Sequence, residues 1–106
     1  MAYIFYDINK YAITHHNEDH ASLTGVIYCY YGNELKGYLY FYKDGVSVPK
    51  SSKSSTGSLY LRFKENKFRD IVETLRLEKP LYIYFDDDSL RGYLSTFEEP
   101  IGEEES

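Results

Sequence analysis

Apolar and polar residues alternate along several stretches of the chain, and a period of two residues is typical of β-strands with one buried face. The alternation is clearest at residues 58–64, where the side chains predicted to face the core are Leu59, Leu61 and Phe63. Residues 81–85 repeat the pattern with Leu81, Ile83 and Phe85. Residues 3–13 are also strand-like, and we interpret the break at Asn9-Lys10 as a turn between two short strands.

Residues 25–48 form the densest run of β-branched and aromatic residues, and we predict a three-stranded antiparallel meander there. Gly32-Asn33 fits a type II′ turn and Asp44-Gly45 a type I′ turn, because both pairs tolerate positive φ. Two-residue turns place Tyr28 opposite Gly37, Val26 opposite Leu39, and Phe41 opposite Val48. A three-residue loop at 32–34 would instead bring together Tyr28, Tyr30, Tyr38 and Tyr40.

The two-residue turns divide the meander into an apolar face and an outward face. The apolar face, which we predict to be the core, carries Val26, Tyr28, Tyr30, Leu35, Leu39, Phe41 and Val48. The outward face carries Ile27, Cys29, Lys36, Tyr38, Tyr40, Tyr42 and Ser47. Gly37 would then leave room for the ring of Tyr28.

After Lys64 the apolar period changes from two residues to that of a helix. Phe68, Ile71, Val72 and Leu75 follow the i, i+3, i+4, i+7 spacing of one amphipathic stripe. The pattern predicts a helix at about residues 66–78, with Asn66 as N-cap and Pro80 preventing its continuation. A helix this short is marginal alone, so it should pack its stripe on the sheet.

The chain should close with a hairpin whose turn is Asp86-Asp87-Asp88-Ser89. A four-residue loop would pair Phe85 with Leu90 and Tyr84 with Arg91. The three aspartates lack the spacing of a calcium-binding EF-hand loop, so we interpret them as a solvated hairpin tip. We therefore predict an α+β fold of mainly antiparallel β-structure, a curled sheet or small barrel of about six to eight strands with one packed helix.

The predicted domain organisation is one compact unit at residues 1–98, with a flexible Ser- and Lys-rich loop at 50–58 and a disordered acidic tail at 99–106. The chain has 106 residues, enough for one modest core. It contains no apolar run near 18 residues and no signal-peptide pattern, so we expect no membrane association. The single cysteine, Cys29, excludes an internal disulfide and favours a reducing, cytoplasmic location.

Charge is distributed unevenly around the net value of −5. Residues 36–79 carry ten Lys and Arg against five Asp and Glu, whereas residues 80–106 carry one Arg against eight acidic residues. The acidic total argues against a general polyanion binder, while the basic middle keeps a nucleic-acid ligand open.

No arrangement of residues predicts catalysis, because no nucleophile–base pair and no phosphate-binding loop is visible. His15, His16 and His20 lie with Glu18 and Asp19 in a polar loop at 14–24, a set that could ligate zinc or nickel. Such a local cluster rarely closes a metal shell, so we predict a solvated loop. We expect neither a metal nor a cofactor, and no enzymatic activity.

Thirteen tyrosines and no tryptophan are the compositional peculiarity of the chain. The candidate partner-binding residues are Tyr38, Tyr40, Tyr42, Tyr60, Lys43 and Arg62. We predict a small non-catalytic binding or assembly module whose outward tyrosines contact a protein partner or a second copy, as in a homodimer. The alternative is a single-stranded nucleic-acid-binding domain, in which bases stack on the tyrosines and phosphates meet Lys36, Lys43, Lys50, Lys53 and Arg62.

Overall fold

The computed structural model describes residues 3–78 and 80–96, and in them the chain forms two mostly antiparallel sheets with one helix packed on them. The strands are β1 (Tyr3–Ile8), β2 (Lys10–His15), β3 (Leu23–Tyr31), β4 (Glu34–Tyr42), β5 (Ser52–Lys53), β6 (Leu59–Lys64), β7 (Leu81–Asp86) and β8 (Arg91–Thr96). A 3-10 turn (Glu65–Lys67) leads into α1 (Phe68–Leu77). The predicted fold class is confirmed, and the sheets are curled and open. The predicted tail at 99–106 lies outside the described residues.

One sheet has three strands in the order β1-β7-β8, and the other has five in the order β2-β3-β4-β6-β5. Their inner faces pack against each other and share a single buried cluster with the helix. Its members are Ile8, Ile27, Cys29, Leu39, Phe41, Leu59, Leu61, Ile71, Leu75, Leu81, Ile83 and Phe85. The inward residues predicted for β6 and β7 are confirmed, except that Phe63 is only partly buried.

The third strand of the predicted meander is wrong. β4 pairs instead with β6, in parallel, so that Phe41 lies opposite Phe63 and not Val48. At the predicted turn, the N–H of Val46 donates to the carbonyl of Lys43 (3.1 Å). Gly45 has φ 84° but Asp44 has no positive φ, which fits type II and not type I′. Such a turn does not direct the chain back along β4 as a hairpin turn does, and the chain crosses over to β6.

The turn predicted between β3 and β4 is correct, but the predicted register is wrong. Tyr31 pairs with Glu34 around Gly32, whose φ of 63° suits a type II′ turn. An extra residue in β4, Lys36, then shifts the pairing, so that Tyr28 lies opposite Tyr38. Because a one-residue bulge exchanges the two faces, the inward side chains of β3 are Ile27 and Cys29, both fully buried.

The register predicted for the last hairpin is also wrong: each residue of β7 pairs with a residue two positions further along, and the loop moves by one residue. Phe85 pairs with Gly92 and Tyr84 with Tyr93, so the loop runs from residue 87 to residue 90. Asp86 ends β7, and its carboxylate accepts hydrogen bonds from the backbone N–H of Asp88 and from the hydroxyl of Ser89, each 2.9 Å long. Leu90 adopts φ 61°, a left-handed conformation that the sequence did not indicate for a leucine.

The predicted break at Asn9 separates β1 and β2, and the two strands do not pair with each other. Each belongs to a different sheet, because β1 pairs with β7 and β2 with β3. The N–H of Asn9 donates to the carbonyl of Tyr30 (2.9 Å), and its side-chain oxygen accepts from the N–H of Gly32 (2.8 Å). Asn9 thus fixes the point at which the chain passes from one sheet to the other.

The helix is confirmed, but Asn66 makes no capping hydrogen bond and lies within the 3-10 turn. The predicted stripe faces inward: Ile71 and Leu75 are buried, and Phe68 and Val72 pack against the core. The ring of Phe68 meets that of Phe41 edge-on, with 5.0 Å between centroids. The helix therefore covers the Phe41 end of the sandwich and leaves the outer faces of both sheets open.

Candidate partner-binding surface

Three tyrosine rings stack on the outer face of the five-stranded sheet. The parallel pairing of β4 with β6 sets Tyr38 beside Tyr60, and their ring centroids are 5.2 Å apart. Tyr40 lies 5.8 Å from Tyr38, at an interplanar angle of 2°, and 6.1 Å from Tyr60. The three rings are thus nearly parallel, which is a favourable arrangement for aromatic side chains.

Further residues of the same face adjoin the three stacked rings. Tyr28 on β3 meets Tyr38 edge-on at 5.7 Å, and Tyr42 follows Tyr40 on β4. Together with Arg62 these residues form what we call the tyrosine face: Tyr28, Tyr38, Tyr40, Tyr42, Tyr60 and Arg62. Five of the six predicted partner-binding residues meet here, and Tyr28 joins them because of the bulge in β4.

Arg62 is held in place by hydrogen bonds. Its Nη1 donates to the carbonyl of Lys50 (2.7 Å) and to the hydroxyl of Ser52 (3.0 Å), and its Nε donates to the hydroxyl of Tyr42 (3.2 Å). The guanidinium carbon lies 5.7 Å from the ring centroid of Tyr40 and 5.9 Å from that of Tyr60, within the range of cation–π attraction. Arg62 therefore orders both the rings and the neighbouring segment.

Packing of the rings affects their ionisation. Desolvation raises the pKa of Tyr40 above its ordinary value of 10.0, and the neighbouring hydroxyls of Tyr60 and Tyr38 raise it further. Arg62 opposes this shift, but it is the smaller influence. The hydroxyl of Tyr40 is therefore protonated at neutral pH and can both donate and accept hydrogen bonds.

Lys43 is not part of the tyrosine face. Its Nζ donates to the carbonyl of Glu18 (2.9 Å), which ties the end of β4 to the loop before β3. Two other lysines proposed for phosphate contacts have acidic neighbours: Lys36 pairs with Glu34 (3.2 Å), and Lys53 lies 3.9 Å from Asp87. Arg62 therefore contacts the stacked rings, whereas Lys36, Lys43 and Lys53 are engaged elsewhere.

A second group of aromatic residues covers the outer face of the three-stranded sheet, and the sequence did not identify it as a site. We call it the second aromatic face: Tyr3, Phe5, Tyr82, Tyr84 and Tyr93. The rings of Tyr84 and Tyr93 stack at 4.5 Å, and Phe5 lies 5.4 Å from Tyr84. The outward alternation of each strand was a usable signal, but the pairing of β1 with β7 joins residues almost 80 positions apart.

In the polar loop at residues 14–24, which we call the histidine loop, the side chains of His16 and His20 contact each other, and that of His20 contacts the backbone of the loop. Nδ1 of His20 accepts hydrogen bonds from the backbone N–H groups of Ser22 (3.1 Å) and Leu23 (2.9 Å). The ring of His16 lies 4.6 Å from that of His20, and its buried Nε2 makes no hydrogen bond. Within residues 3–78 and 80–96, no group of three or more His, Cys, Asp or Glu side chains is placed to hold a metal ion.

Two other features, the buried Cys29 and a cleft beside α1, lie outside the two aromatic faces. Cys29 is fully buried, and desolvation raises the pKa of its thiol to about 12, so it carries no reactive thiolate at neutral pH. A cleft of about 560 Å³ lies between the end of α1 and the junction of β1 with β2. Its rim carries both signs of charge: Asp7, Lys10, Arg76 and Glu78. These charges show no preference for a cationic or an anionic ligand.

Comparison with known proteins does not narrow the function. No protein-family model matches the chain, and neither the curated proteins nor the solved structures contain a significant match. In the described part of the chain, no helix has the length and apolar character needed to cross a bilayer.

Proposed function

We propose that this protein is a small non-catalytic binding or assembly module whose tyrosine face contacts the surface of another protein, either a different partner or another copy. The observation that supports it best is the stack of Tyr38, Tyr40 and Tyr60 with Arg62 beside it. Tyr and Arg are the residue types enriched at the centres of protein interfaces.

Preordering of these side chains favours a protein contact. Each ring is held by its neighbours and Arg62 by three hydrogen-bond acceptors, so little rotamer entropy remains to be lost on binding. The rings supply apolar area, and their hydroxyls supply hydrogen bonds at the periphery. A flat partner surface with apolar side chains and exposed polar groups would complement this face.

The same geometry disfavours the nucleic-acid alternative. Bases stack on an aromatic ring whose flat side is open, whereas Tyr38, Tyr40 and Tyr60 stack on one another. Three of the lysines expected at phosphates have other contacts: Lys43 with the carbonyl of Glu18, Lys36 with Glu34, and Lys53 with Asp87. The rings that would stack on bases and several of the lysines that would contact phosphates are therefore already engaged within the protein.

The proposal is tested with a variant that carries Tyr38→Ser and Tyr40→Ser. Tyr31→Ser is the matched control, because Tyr31 is 50% exposed and lies outside the tyrosine face. Self-association is measured by sedimentation velocity, and binding of an oligo-dT strand by fluorescence anisotropy, each over a series of salt concentrations.

We expect the double variant to lose self-association, the Tyr31→Ser control to keep it, and neither to bind oligo-dT. A tyrosine-centred contact should respond little to salt, whereas phosphate binding weakens steeply because it releases counterions. Salt-sensitive oligo-dT binding that disappears in the double variant would establish the nucleic-acid alternative instead. Self-association that the double variant retains in full would remove the tyrosine face from the contact.

A further inference from the structure

The second aromatic face exposes an unusual amount of aromatic surface. Phe5 is 57% exposed and Tyr3 44%, although both pack against other rings of the face. Cross-strand pairing makes one row of Phe5, Tyr84 and Tyr93, the middle row of this sheet. A contiguous exposed aromatic patch of this kind is a mark of an interaction surface, whereas single exposed apolar residues are common.

The two aromatic faces lie on opposite sides of the molecule. The sheets pack through their inner faces, where the backbone of Gly37 in β4 approaches Ile83 in β7. Because side chains alternate along a strand, the tyrosine face and the second aromatic face both point away from the shared core. One copy can therefore offer both surfaces at the same time.

The net charges of the outward positions on the two sheets differ in sign. On the five-stranded sheet, the outward positions that alternate with core residues include three cations and no carboxylate; the cations are Lys10, Arg62 and Lys64. The corresponding positions of the three-stranded sheet hold two carboxylates and one cation, namely Asp7, Asp86 and Arg91. Asp86 is ionised at neutral pH, because hydrogen bonds from Asp88 and Ser89 lower its pKa.

We propose that the second aromatic face of one molecule binds the tyrosine face of another copy of the same chain. This inference rests on the proposed function and names the partner of the tyrosine face. Contact between the outer faces of two five-stranded sheets would bring Lys10, Arg62 and Lys64 of one copy against the same three cations of the other. Contact between unlike sheets instead sets cations beside carboxylates. Aromatic rings on both surfaces would supply the apolar area at the centre.

Such a contact is heterologous, because it joins two different surfaces of the same chain, and it does not limit the size of the assembly. Because the two faces lie on opposite sides, each added copy leaves one of each face free, and the assembly stays open-ended. Three strands of six residues span roughly 15 by 20 Å, a small area beside the roughly 800 Å² per partner of a standard interface. The association should therefore be weak, with a dissociation constant on the order of 100 μM.

The first test compares Phe5→Lys with Leu77→Lys in sedimentation velocity over a range of concentrations. Both substitutions place a lysine at an exposed apolar position, but Leu77, which is 69% exposed, lies on α1 and outside both faces. Phe5→Lys removes the most exposed ring and adds a cation facing the basic surface. It should raise the dissociation constant at least about tenfold, whereas Leu77→Lys should leave it unchanged.

The second test mixes two variants that should each fail to assemble. Phe5→Lys keeps an intact tyrosine face, and the Tyr38→Ser, Tyr40→Ser variant keeps an intact second aromatic face. An equimolar mixture should form a complex of two chains and no larger species, because only one productive contact remains. The parent should instead show a mass that continues to rise beyond that of a dimer.

The outcomes separate this inference from the proposed function. If the tyrosine variant loses association while Phe5→Lys behaves like the parent, like faces pair; the proposed function then stands and this inference fails. If neither variant changes the association, neither face forms the contact between copies: this inference fails, and so does the self-association form of the proposed function. The head-to-tail contact is also overturned if the mixture does not restore the two-chain complex, or if the parent is monomeric at about 500 μM. In either case the oligo-dT measurements still decide whether the tyrosine face binds protein or nucleic acid.

Discussion

Gly37 and Ile83 bring the two sheets so close together that no side chain fits between them. A Cβ atom at Gly37 would lie 2.7 Å from Cδ1 of Ile83 and 3.0 Å from the carbonyl oxygen of Leu59. We predict that Gly37→Ala lowers the free energy of unfolding by about 1–3 kcal/mol, because an added methyl overpacks the core. Urea unfolding followed by circular dichroism measures the change.

A double-mutant cycle identifies the source of that loss. Ile83→Val removes the Cδ1 atom that the new methyl would meet, so Gly37→Ala should cost less in the Ile83→Val background. Leu59 remains close, and recovery should therefore be partial. Additive effects of the two substitutions would show that the cost arises elsewhere.

Phe41 connects the five-stranded sheet to the helix, and replacing it with a small residue should lower the free energy of unfolding more than any other such core substitution. Its ring is fully buried and meets the rings of Phe63 (5.8 Å) and Phe68 (5.0 Å). We predict that Phe41→Ala costs about 3–5 kcal/mol, the range for buried phenylalanines. The control Phe5→Ala removes an exposed ring and should cost less than about 1.5 kcal/mol. Equal losses from the two substitutions would contradict the assignment of faces.

Local patterns in the sequence were sufficient to predict part of the fold. Alternation within β6 and β7 identified the inward residues Leu59, Leu61, Ile83 and Phe85, because the period of a strand is a property of that strand alone. The helical stripe was recognisable for the same reason. The stacking residues Tyr38, Tyr40 and Tyr60 were likewise chosen correctly as an outward set.

The pairing between strands could not be predicted from local patterns. The bulge at Lys36 inserts one residue and exchanges the faces of β3. Gly37 beside it is typical of a bulge, but a glycine within a strand does not by itself set the register. The parallel pairing of β4 with β6 depends on the crossover between them and on how the two sheets pack. The second aromatic face was missed because it requires β1 and β7 to be neighbours, a contact between distant parts of the chain.

Arg62 should determine how firmly the segment at 50–58 is held. The sequence predicts a flexible loop there, yet Ser51 is buried and the backbone of Lys50 accepts a hydrogen bond from Arg62. We predict that Arg62→Lys accelerates amide exchange of Ser52 and Lys53 by about ten- to a hundredfold, because charge-assisted bonds of about 1.5–3 kcal/mol are lost. Arg69→Lys, an exposed change on the helix, is the control. Rapid exchange already in the parent would confirm the flexible loop.

The contacts of His20 lead to a prediction about metal ions. Because Nδ1 of His20 accepts two backbone N–H groups, His20→Ala should cost about 1–2 kcal/mol by leaving those donors without an acceptor. An excess of EDTA should change the melting temperature of neither the parent nor the variant, since a structural metal would couple to folding. A fall of several degrees in the parent, absent in the variant, would establish the histidine loop as a metal site.

Alkaline pH should destabilise the protein through Cys29. Burial raises the pKa of its thiol from 9.0 to about 12, so the unfolded chain releases this proton at lower pH than the folded chain does. The contribution to stability is full below pH 9 and is lost as the pH rises through about 12, by up to roughly 4 kcal/mol. The raised pKa of Tyr40 acts in the same direction above its ordinary value of 10.0.

The measurement is urea unfolding of the parent and of Cys29→Ala at a series of pH values from about 8 to 12. Cys29→Ala should be less stable at neutral pH, because it leaves a cavity in the core, but its stability should fall less steeply with rising pH. A thiol-specific disulfide reagent should react with the native parent only as fast as the chain opens. Parallel pH profiles for the two proteins, or rapid reaction of the native thiol, would show that Cys29 is not buried as the structure has it.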